Sequence, residues 1–439
     1  MDCAQAKLVD RAEEAAFEVI PEQALSGIAS DILIQGGQDM LARWDAHQAW
    51  WDARRRHGMA PSEPGHGAKI AHQLDLTLRD HLNLATHPTV REAARLAVER
   101  HGLRGQDPGL LEQLEQRIAR FLGYADCTLF PTGWAARHAL VTALARPGDH
   151  IVMDEEVNEG LRAGALQSGA QRHVFRHLCD EAALRRLAAL RATDPGAGIL
   201  LMTESRFPLD SEAPDLPGLQ ALCRQYGATL LVDVSQDLGI LGADGRGGLG
   251  AQGMLGLADV VIGGFSRSFA SQGGFVATHA RSLRVGLRQG GSPQAASPPL
   301  AAVQLATVLA AFDVMASFEG TARRQRLMRN ASLLREGLTA AGFTVLGEPS
   351  ATVPVLLGPP ALARLMTRHA QEAGALVHLA EPPAVSRQAC RWTLQVTADH
   401  TPAEMRRMVG IASQARERAL AHARAMGVRP EPPPQPASE

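Results

Sequence analysis

Short apolar segments alternate with helical segments from residue 66 to about residue 312. The apolar segments are HIVMD (150–154), GILLMTE (198–204), ATLLVDV (228–234) and ADVVIGGF (258–265). Apolar residues recur with helical spacing at 90–101, 109–122 and 216–226. Continuous apolar runs between helices are typical of buried parallel strands. The pattern predicts a large α/β domain of three layers with a mostly parallel sheet, whose ligands are expected at the carboxyl ends of the strands.

A smaller C-terminal α+β domain is predicted over residues 313–425, after a large domain at 65–312. A long apolar helix at 300–315 is expected to act as a spacer between the two. The small domain is predicted to contain strands at 353–358, 375–380 and 391–396 and a closing helix at 402–426. The proline-rich tail, 426–439, is expected to be disordered.

Residues 1–64 have the pattern of an N-terminal helical arm and linker. Residues 40–51 have helical spacing and carry three tryptophans, Trp44, Trp50 and Trp51, and an Arg-, Pro- and Gly-rich stretch follows them. The tryptophans form either a contact with a partner or a surface that packs on the chain's own body or on a dimer mate. The second interpretation is the more common use of such a cluster.

Composition narrows the class of protein. Of 439 residues, 45% are hydrophobic and 21% are charged, which is ordinary for a globular protein, and a net charge of -2 gives no reason to expect nucleic-acid binding. Five scattered cysteines without CxxC spacing argue against a disulfide framework or a zinc site, and the sixteen histidines have no metal-pair spacing. The acidic N-terminus does not resemble a signal peptide, and no apolar run approaches the roughly 18 to 20 residues of a membrane span. We therefore expect a cytoplasmic protein without a bound metal.

Lysine is almost absent from the chain. Of 44 basic residues, 42 are arginine, and the two lysines are Lys7 and Lys69. A genome biased toward arginine codons explains most of this skew. Any reaction that needs a lysine amine in the body of the protein is nevertheless excluded, unless Lys69 supplies it.

Several segments, in order along the chain, resemble the α-oxoamine synthases. This group of fold-type-I, aminotransferase class I/II-like pyridoxal-phosphate (PLP) enzymes includes 8-amino-7-oxononanoate synthase and serine palmitoyltransferase. DHLNLATHPTV (80–90) is similar to NYLGLA-HP, and FPTGWAARHAL (130–140) resembles F-x-[ST]-G-[YF]-x-A-N. LLVDVSQDLGILGADGRG (230–247) resembles LLVDEAHSxGVLGxxGRG, and GGFSRSFASQGGFV (263–276) is close to GT[FL]SK[SA]-x-x-[SG]-x-GG. The resemblance implies the fold-type-I architecture, a transferase that joins an acyl-CoA to an amino acid, and a dimer whose sites borrow residues from both chains.

The resemblance also implies which residues would hold PLP. Asp233 stands where an aspartate keeps the pyridine nitrogen protonated. Thr132, Gly133 and Trp134 stand at the phosphate cradle, where backbone N–H groups and one hydroxyl suffice. Ser266 stands at a phosphate-side hydroxyl position. These positions keep residues that suit the cofactor.

Six other positions depart from the family pattern. The Schiff-base lysine falls on Arg267, whose delocalised guanidinium does not form an imine. The histidine that contacts the ring hydroxyl falls on Gln236, and the ring-stacking histidine on Glu159, a carboxylate expected to repel the phosphate. The phosphate threonine is Gly264. The carboxylate-binding arginine falls on Thr393, and an asparagine of the substrate site on Asp80.

Two hypotheses about function remain open. The first is a degenerate member that has lost Schiff-base catalysis and acts as a non-catalytic or regulatory partner of an active homologue, in a homodimer or in a heterodimer with a lysine-bearing chain. The second is an enzyme with lysine-independent acyl-transfer or acid/base chemistry in a remodelled pocket, with an acyl thioester as a possible ligand. PLP is expected by resemblance, without covalent attachment, or else no cofactor is used.

Overall fold

A computed structural model describes residues 73–289 and 298–425. The predicted arm at 1–64 with its three tryptophans, Lys69, and the tail at 426–439 all lie outside the described residues. Those predictions stay predictions.

A seven-stranded sheet forms the centre of the larger part of the fold. Its strands are β2 (Asp126–Phe130), β3 (His150–Asp154), β4 (Gln171–Phe175), β5 (Ile199–Glu204), β6 (Thr229–Asp233), β7 (Val260–Gly264) and β8 (Gly274–Thr278). They lie in the order β2-β8-β7-β6-β5-β3-β4, and only β8 runs antiparallel to its neighbours. The four apolar runs of the sequence are β3, β5, β6 and β7, so the prediction of buried parallel strands is confirmed.

Helices cover both faces of this sheet. The described helices are α1 (Pro88–His101), α2 (Pro108–Leu122), α3 (Gly133–Leu144), α4 (Glu159–Gln167), α5 (Asp180–Thr193), α6 (Leu216–Tyr226), α7 (Gly247–Ala251), α8 (Arg281–Gln289), α9 (Ala302–Ala316), α10 (Phe318–Ala340), α11 (Pro360–Glu372) and α12 (Pro402–Ala425). Alternate residues of β6 face opposite ways: Leu231 packs in one hydrophobic cluster, while Leu230 and Val232 pack in the other. Because both faces are buried, the strands are apolar throughout and the domain has three layers.

Local sequence explains where the helices begin and end. Asp107 accepts hydrogen bonds from Gly109 N and Leu110 N at the start of α2, and a proline occupies the first turn. Gly123 ends the same helix in the left-handed conformation, with φ of 80°, which glycine adopts without steric cost.

The predicted spacer helix has a different role. Helix α9 packs against α1 and α2, and its Phe312 meets Phe121 of α2 edge to face, with ring centroids 5.5 Å apart. Leu305 and Val308 are also fully or almost fully buried. The helix is therefore part of the main hydrophobic core, which explains why it is apolar on all sides.

A second, antiparallel sheet lies in the C-terminal part. It has the order β11-β12-β9, with β9 at Thr352–Gly358, β11 at Leu379–Ala380 and β12 at Cys390–Gln395. The predicted strand at 375–380 is divided, because Ala375–Leu376 (β10) pairs instead with Leu74–Asp75 (β1). Residues 74–75, assigned to the large domain by the sequence, thus lie against the C-terminal part.

Candidate functional site

Three neighbouring strands end side by side at the predicted site. Glu204, the last residue of β5, lies in register with Asp233, the last residue of β6. Strand β7 ends beside them at Gly264, and the chain continues from there to Ser266 and Arg267. Asp233 is fully buried and Glu204 almost so. Such carboxyl ends of parallel strands are where ligand sites form in α/β proteins.

Arg137 occupies the pocket in front of Asp233. Its Nε donates a hydrogen bond of 2.5 Å to Asp233 Oδ2, and its Nη2 donates one of 2.8 Å to Ser235 Oγ. The other carboxylate oxygen, Oδ1, accepts a hydrogen bond from Ser235 N. Burial alone would lower the pKa of Arg137, but the charge of Asp233 more than offsets burial and raises it. The two side chains form a buried ion pair.

The segment predicted to form the phosphate cradle begins helix α3. Thr132 Oγ1 accepts a hydrogen bond from Ala135 N and caps this helix. Gly133 lies close to β8: a Cβ at Gly274 would come within 2.7 Å of its Cα. Trp134 is about half exposed at the rim, next to Gly160 of α4.

Glu159 and Ser266 also lie at the surface of this region. Glu159 is the first residue of α4, and 83% of its side chain is exposed, with Arg162 Nε 3.8 Å away. Ser266 is exposed as well. The carboxylate of Glu159 therefore lies at the protein surface beside the predicted site, where solvent or a second chain can contact it.

Arg267 is only partly exposed and has no hydrogen bond or ion pair to any other residue in the described parts of the chain. Burial lowers the pKa of its guanidinium to about 9, and the charge of nearby Arg79 acts in the same direction, while Glu204 opposes it. A pKa of about 9 still leaves the group cationic at neutral pH. The position of the expected lysine thus carries a fixed positive charge.

Glu204 is a second acidic residue beside the Arg137–Asp233 pair. Burial raises its pKa well above the ordinary value, and the charge of Asp233 adds to the rise. Its Oε1 has no hydrogen-bond partner in the described structure. A carboxyl group with a raised pKa therefore lies next to the Arg137–Asp233 ion pair.

Three other predicted residues lie on the side of the small sheet, and two of them have local hydrogen bonds. The carboxylate of Asp80 accepts hydrogen bonds from Leu84 N at 3.0 Å and Ala85 N at 2.8 Å, which close a turn. Thr393 is buried on β12, with its Oγ1 2.9 Å from His378 Nδ1. Gln236 lines a small cleft together with residues 350–352.

Comparisons with known proteins agree with this architecture. Residues 71–411 match the family described as aminotransferase class I and II. The 8-amino-7-oxononanoate synthase of Geobacter metallireducens is 34% identical over 343 residues, covering 76% of this chain and 87% of that protein. The enzyme of the same name from Citrifermentans bemidjiense is 32% identical over 347 residues, covering 78% and 88%. A solved structure of SPT (serine palmitoyltransferase) with a PLP internal aldimine covers 89% of this chain and 100% of its own, with a TM-score of 0.79 and 25% identity.

The chain belongs to the α-oxoamine synthases, within the aminotransferase class I and II family. The resemblance and the fold class inferred from the sequence are confirmed. Within residues 73–289 and 298–425, no single helix is both long and apolar enough to cross a membrane; α9 and α10 reach that threshold only as a pair bent by 77°. The same residues contain no group of three or more His, Cys, Asp or Glu side chains placed to hold a metal ion.

The donor set does not match the α-oxoamine synthase arrangement for PLP. Both oxygens of Asp233 accept hydrogen bonds from the chain itself, Oδ2 from Arg137 and Oδ1 from Ser235. Arg267 stands at the position predicted for the lysine, and residues 70–439 contain no lysine. The sequence analysis did not identify Arg137 as a site residue. The sequence signal is the presence of arginine where the pattern F-x-[ST]-G-[YF]-x-A-N ends in asparagine. Its consequence became visible only when the contact with Asp233 was known.

A second charged cluster lies at the ends of β3 and β4. His177 Nδ1 is 2.7 Å from Asp154 Oδ1, and its Nε2 is 3.4 Å from Glu212 Oε2. The ring packs edge to face on Phe207, with centroids 4.4 Å apart. Burial alone would lower the pKa of His177, but the hydrogen bond to Asp154 and the nearby carboxylate of Glu212 raise it to about 10.

The raised pKa of His177 predicts that the free energy of unfolding falls as the pH rises above neutral. Its pKa in the folded chain, about 10, exceeds that of an unfolded histidine, about 6.5. The protonated ring therefore stabilises the fold fully below about pH 6.5, and this contribution is lost as the pH rises toward 10. Between pH 7 and 9, urea unfolding should show the wild type losing up to about 1.4 kcal/mol per pH unit relative to His177→Gln. His422→Gln, at an exposed histidine on α12, is the matched control; parallel curves for wild type and His177→Gln would contradict the assignment.

Proposed function

We propose that this chain keeps the α-oxoamine synthase fold without Schiff-base catalysis and serves as a non-catalytic or regulatory partner of a lysine-bearing homologue. The observation that carries the proposal is the pairing of Arg137 with Asp233, at 2.5 Å. That carboxylate is the group that a PLP pyridine nitrogen needs in this family. A chain that uses it internally has no evident need of the cofactor.

The chemistry at the lysine position supports the proposal. A Schiff base needs a nitrogen with an available lone pair, and the guanidinium of Arg267 delocalises its lone pairs. No lysine occurs between residues 70 and 439 that could take its place. PLP, which the solved relative contains, is therefore not expected to be attached covalently here.

The rim of the site supports a partner role. Trp134 is 52% exposed, and Glu159 lies beside it at the start of α4. Tryptophan is among the residues that contribute most to binding at protein interfaces. Because the family resemblance places such sites at dimer interfaces, we infer that this rim contacts a second chain, either another copy or a lysine-bearing homologue.

Co-expression tests the partner role. The full chain should co-purify in equal amounts with a lysine-bearing α-oxoamine synthase from the same genome, and the complex should be active when this chain alone is not. Trp134→Asp should reduce recovery of the complex at least about tenfold, since a buried interface tryptophan contributes 2 kcal/mol or more. Phe318→Asp, at an exposed apolar residue on another element, is the matched control. Equal recovery with both variants would contradict the interface.

One observation favours the second candidate, an enzyme with lysine-independent chemistry. Glu204 is a buried acid with a raised pKa and an unpartnered oxygen, and the charge of Arg267 acts on it. A carboxyl group whose pKa is raised is suited to donate a proton to an acyl group. Recovery of a homodimer alone, with an acyl thioester retained through purification, would favour this candidate over the partner role.

A further inference from the structure

The position of Arg137 has a consequence beyond the loss of catalysis. Its side chain is 12% exposed, and its partner Asp233 is fully buried. Its guanidinium makes two hydrogen bonds, one to the carboxylate of Asp233 and one to the hydroxyl of Ser235. These two hydrogen bonds fix the position of the Arg137 guanidinium in the pocket.

The same side chain lies against the starts of two helices. A Cβ at Gly160, in the first turn of α4, would come 2.9 Å from Arg137 Cδ. A Cβ at Gly133, at the start of α3, would come 3.2 Å from Arg137 Nη1. The arginine therefore fills the space between the predicted phosphate cradle and Asp233. A planar ring paired with Asp233 would have to displace it.

The charges in the pocket explain why a cation belongs there. Asp233 lies inside the sheet with the acid of Glu204 in register beside it. A buried carboxylate without a cation is costly, because it has lost its hydration. Arg137 supplies that cation from within the chain.

We propose that Arg137 is a built-in replacement for the cofactor ring: it pairs with Asp233, keeps the pocket stable when empty, and closes it to pyridoxal-type ligands. This inference rests on the same Arg137–Asp233 contact as the proposed function, and it goes further because it concerns which ligands the pocket admits. It implies that one substitution, Arg137→Asn, which restores the family residue, reopens the pocket.

Pyridoxamine 5′-phosphate is the probe that tests this proposal. It carries the ring nitrogen and phosphate but has no aldehyde, so it does not react with Lys7, Lys69 or the amino terminus. Equilibrium dialysis on the full chain should show no saturable binding by the wild type up to about 1 mM. Arg137→Asn should bind at least about tenfold more tightly, because a charged hydrogen bond to Asp233 becomes available.

Two further variants separate pairing from simple loosening of the fold. Arg137→Asn combined with Asp233→Asn should return to wild-type binding, since the ring nitrogen then has no carboxylate. Arg146→Asn, whose arginine is 87% exposed just beyond α3, should behave as wild type. The probe should raise the melting temperature of Arg137→Asn alone.

Two results would overturn the proposal. One is tight binding of the probe by the wild type, which needs no variant to fold. The other is an Arg137→Asn variant that is folded, as judged by circular dichroism, but binds the probe no better than the wild type does. If Arg137→Asn does not fold, Arg137→Gln is tested in its place. Either result would still leave the proposed loss of Schiff-base catalysis supported by Arg267 and by the absence of lysine from residues 70–439, since the probe cannot form a Schiff base.

Discussion

Replacing Arg137 with alanine is expected to lower the free energy of unfolding by about 3–5 kcal/mol, the usual cost of breaking a buried ion pair from one side. The cost arises because Asp233, which is fully buried, loses the cation that compensates for its burial. Chemical denaturation of the purified full chain at neutral pH measures this change.

A double-mutant cycle shows whether the pair itself is responsible. Asp233→Asn should also destabilise, and the double variant should be more stable than the sum of the two single effects predicts, by about 2–3 kcal/mol. Arg146→Ala is the matched control, because Arg146 is 87% exposed and its contact with Asp149 is 3.9 Å long; it should change stability by under about 1 kcal/mol. Additive single effects at Arg137 and Asp233 would mean that the hydrogen bond contributes nothing specific.

Much of the fold could be predicted because its central strands are buried on both faces. Strands β3, β5, β6 and β7 are continuous apolar runs, so their pattern does not depend on register. Strand β4, QRHVF, was missed because it lies at the edge of the sheet with mostly exposed residues. Strand β8, GFVAT, is short and begins with glycine, which weakens any strand signal.

The site was only partly predictable, for a different reason. Motif spacing placed Asp233 and Thr132 correctly with respect to strand and helix ends, because these positions follow from the order of elements. The spacing could not show that Arg137 reaches across from α3 to Asp233, 96 residues away in sequence. Nor could it show that Asp80 closes a local turn, or that Glu159 points outward. Side-chain direction depends on tertiary contacts that a motif does not contain.

The second large expected effect concerns covalent attachment of PLP. Because this chain has almost no lysine, we expect a lysine-bearing relative to be labelled and this chain not to be labelled at its pocket. A lysine-bearing α-oxoamine synthase treated with PLP and borohydride should gain one phosphopyridoxyl group per chain, since reduction fixes the Schiff base. This chain has no lysine beyond residue 69 and an arginine at position 267. It should therefore gain none at its pocket. Lys69→Arg is the matched control, because labelling that persists in this variant cannot come from Lys69.

The central claim is tested most directly by the intact mass and peptide map of the full chain after incubation with PLP and reduction with borohydride. We expect no stoichiometric phosphopyridoxyl group on Lys69 or on any residue beyond it, and no absorption band in the visible region before reduction. One stoichiometric phosphopyridoxyl group on Lys69, absent from Lys69→Arg, would contradict it, because the chain would then have a Schiff-base lysine after all.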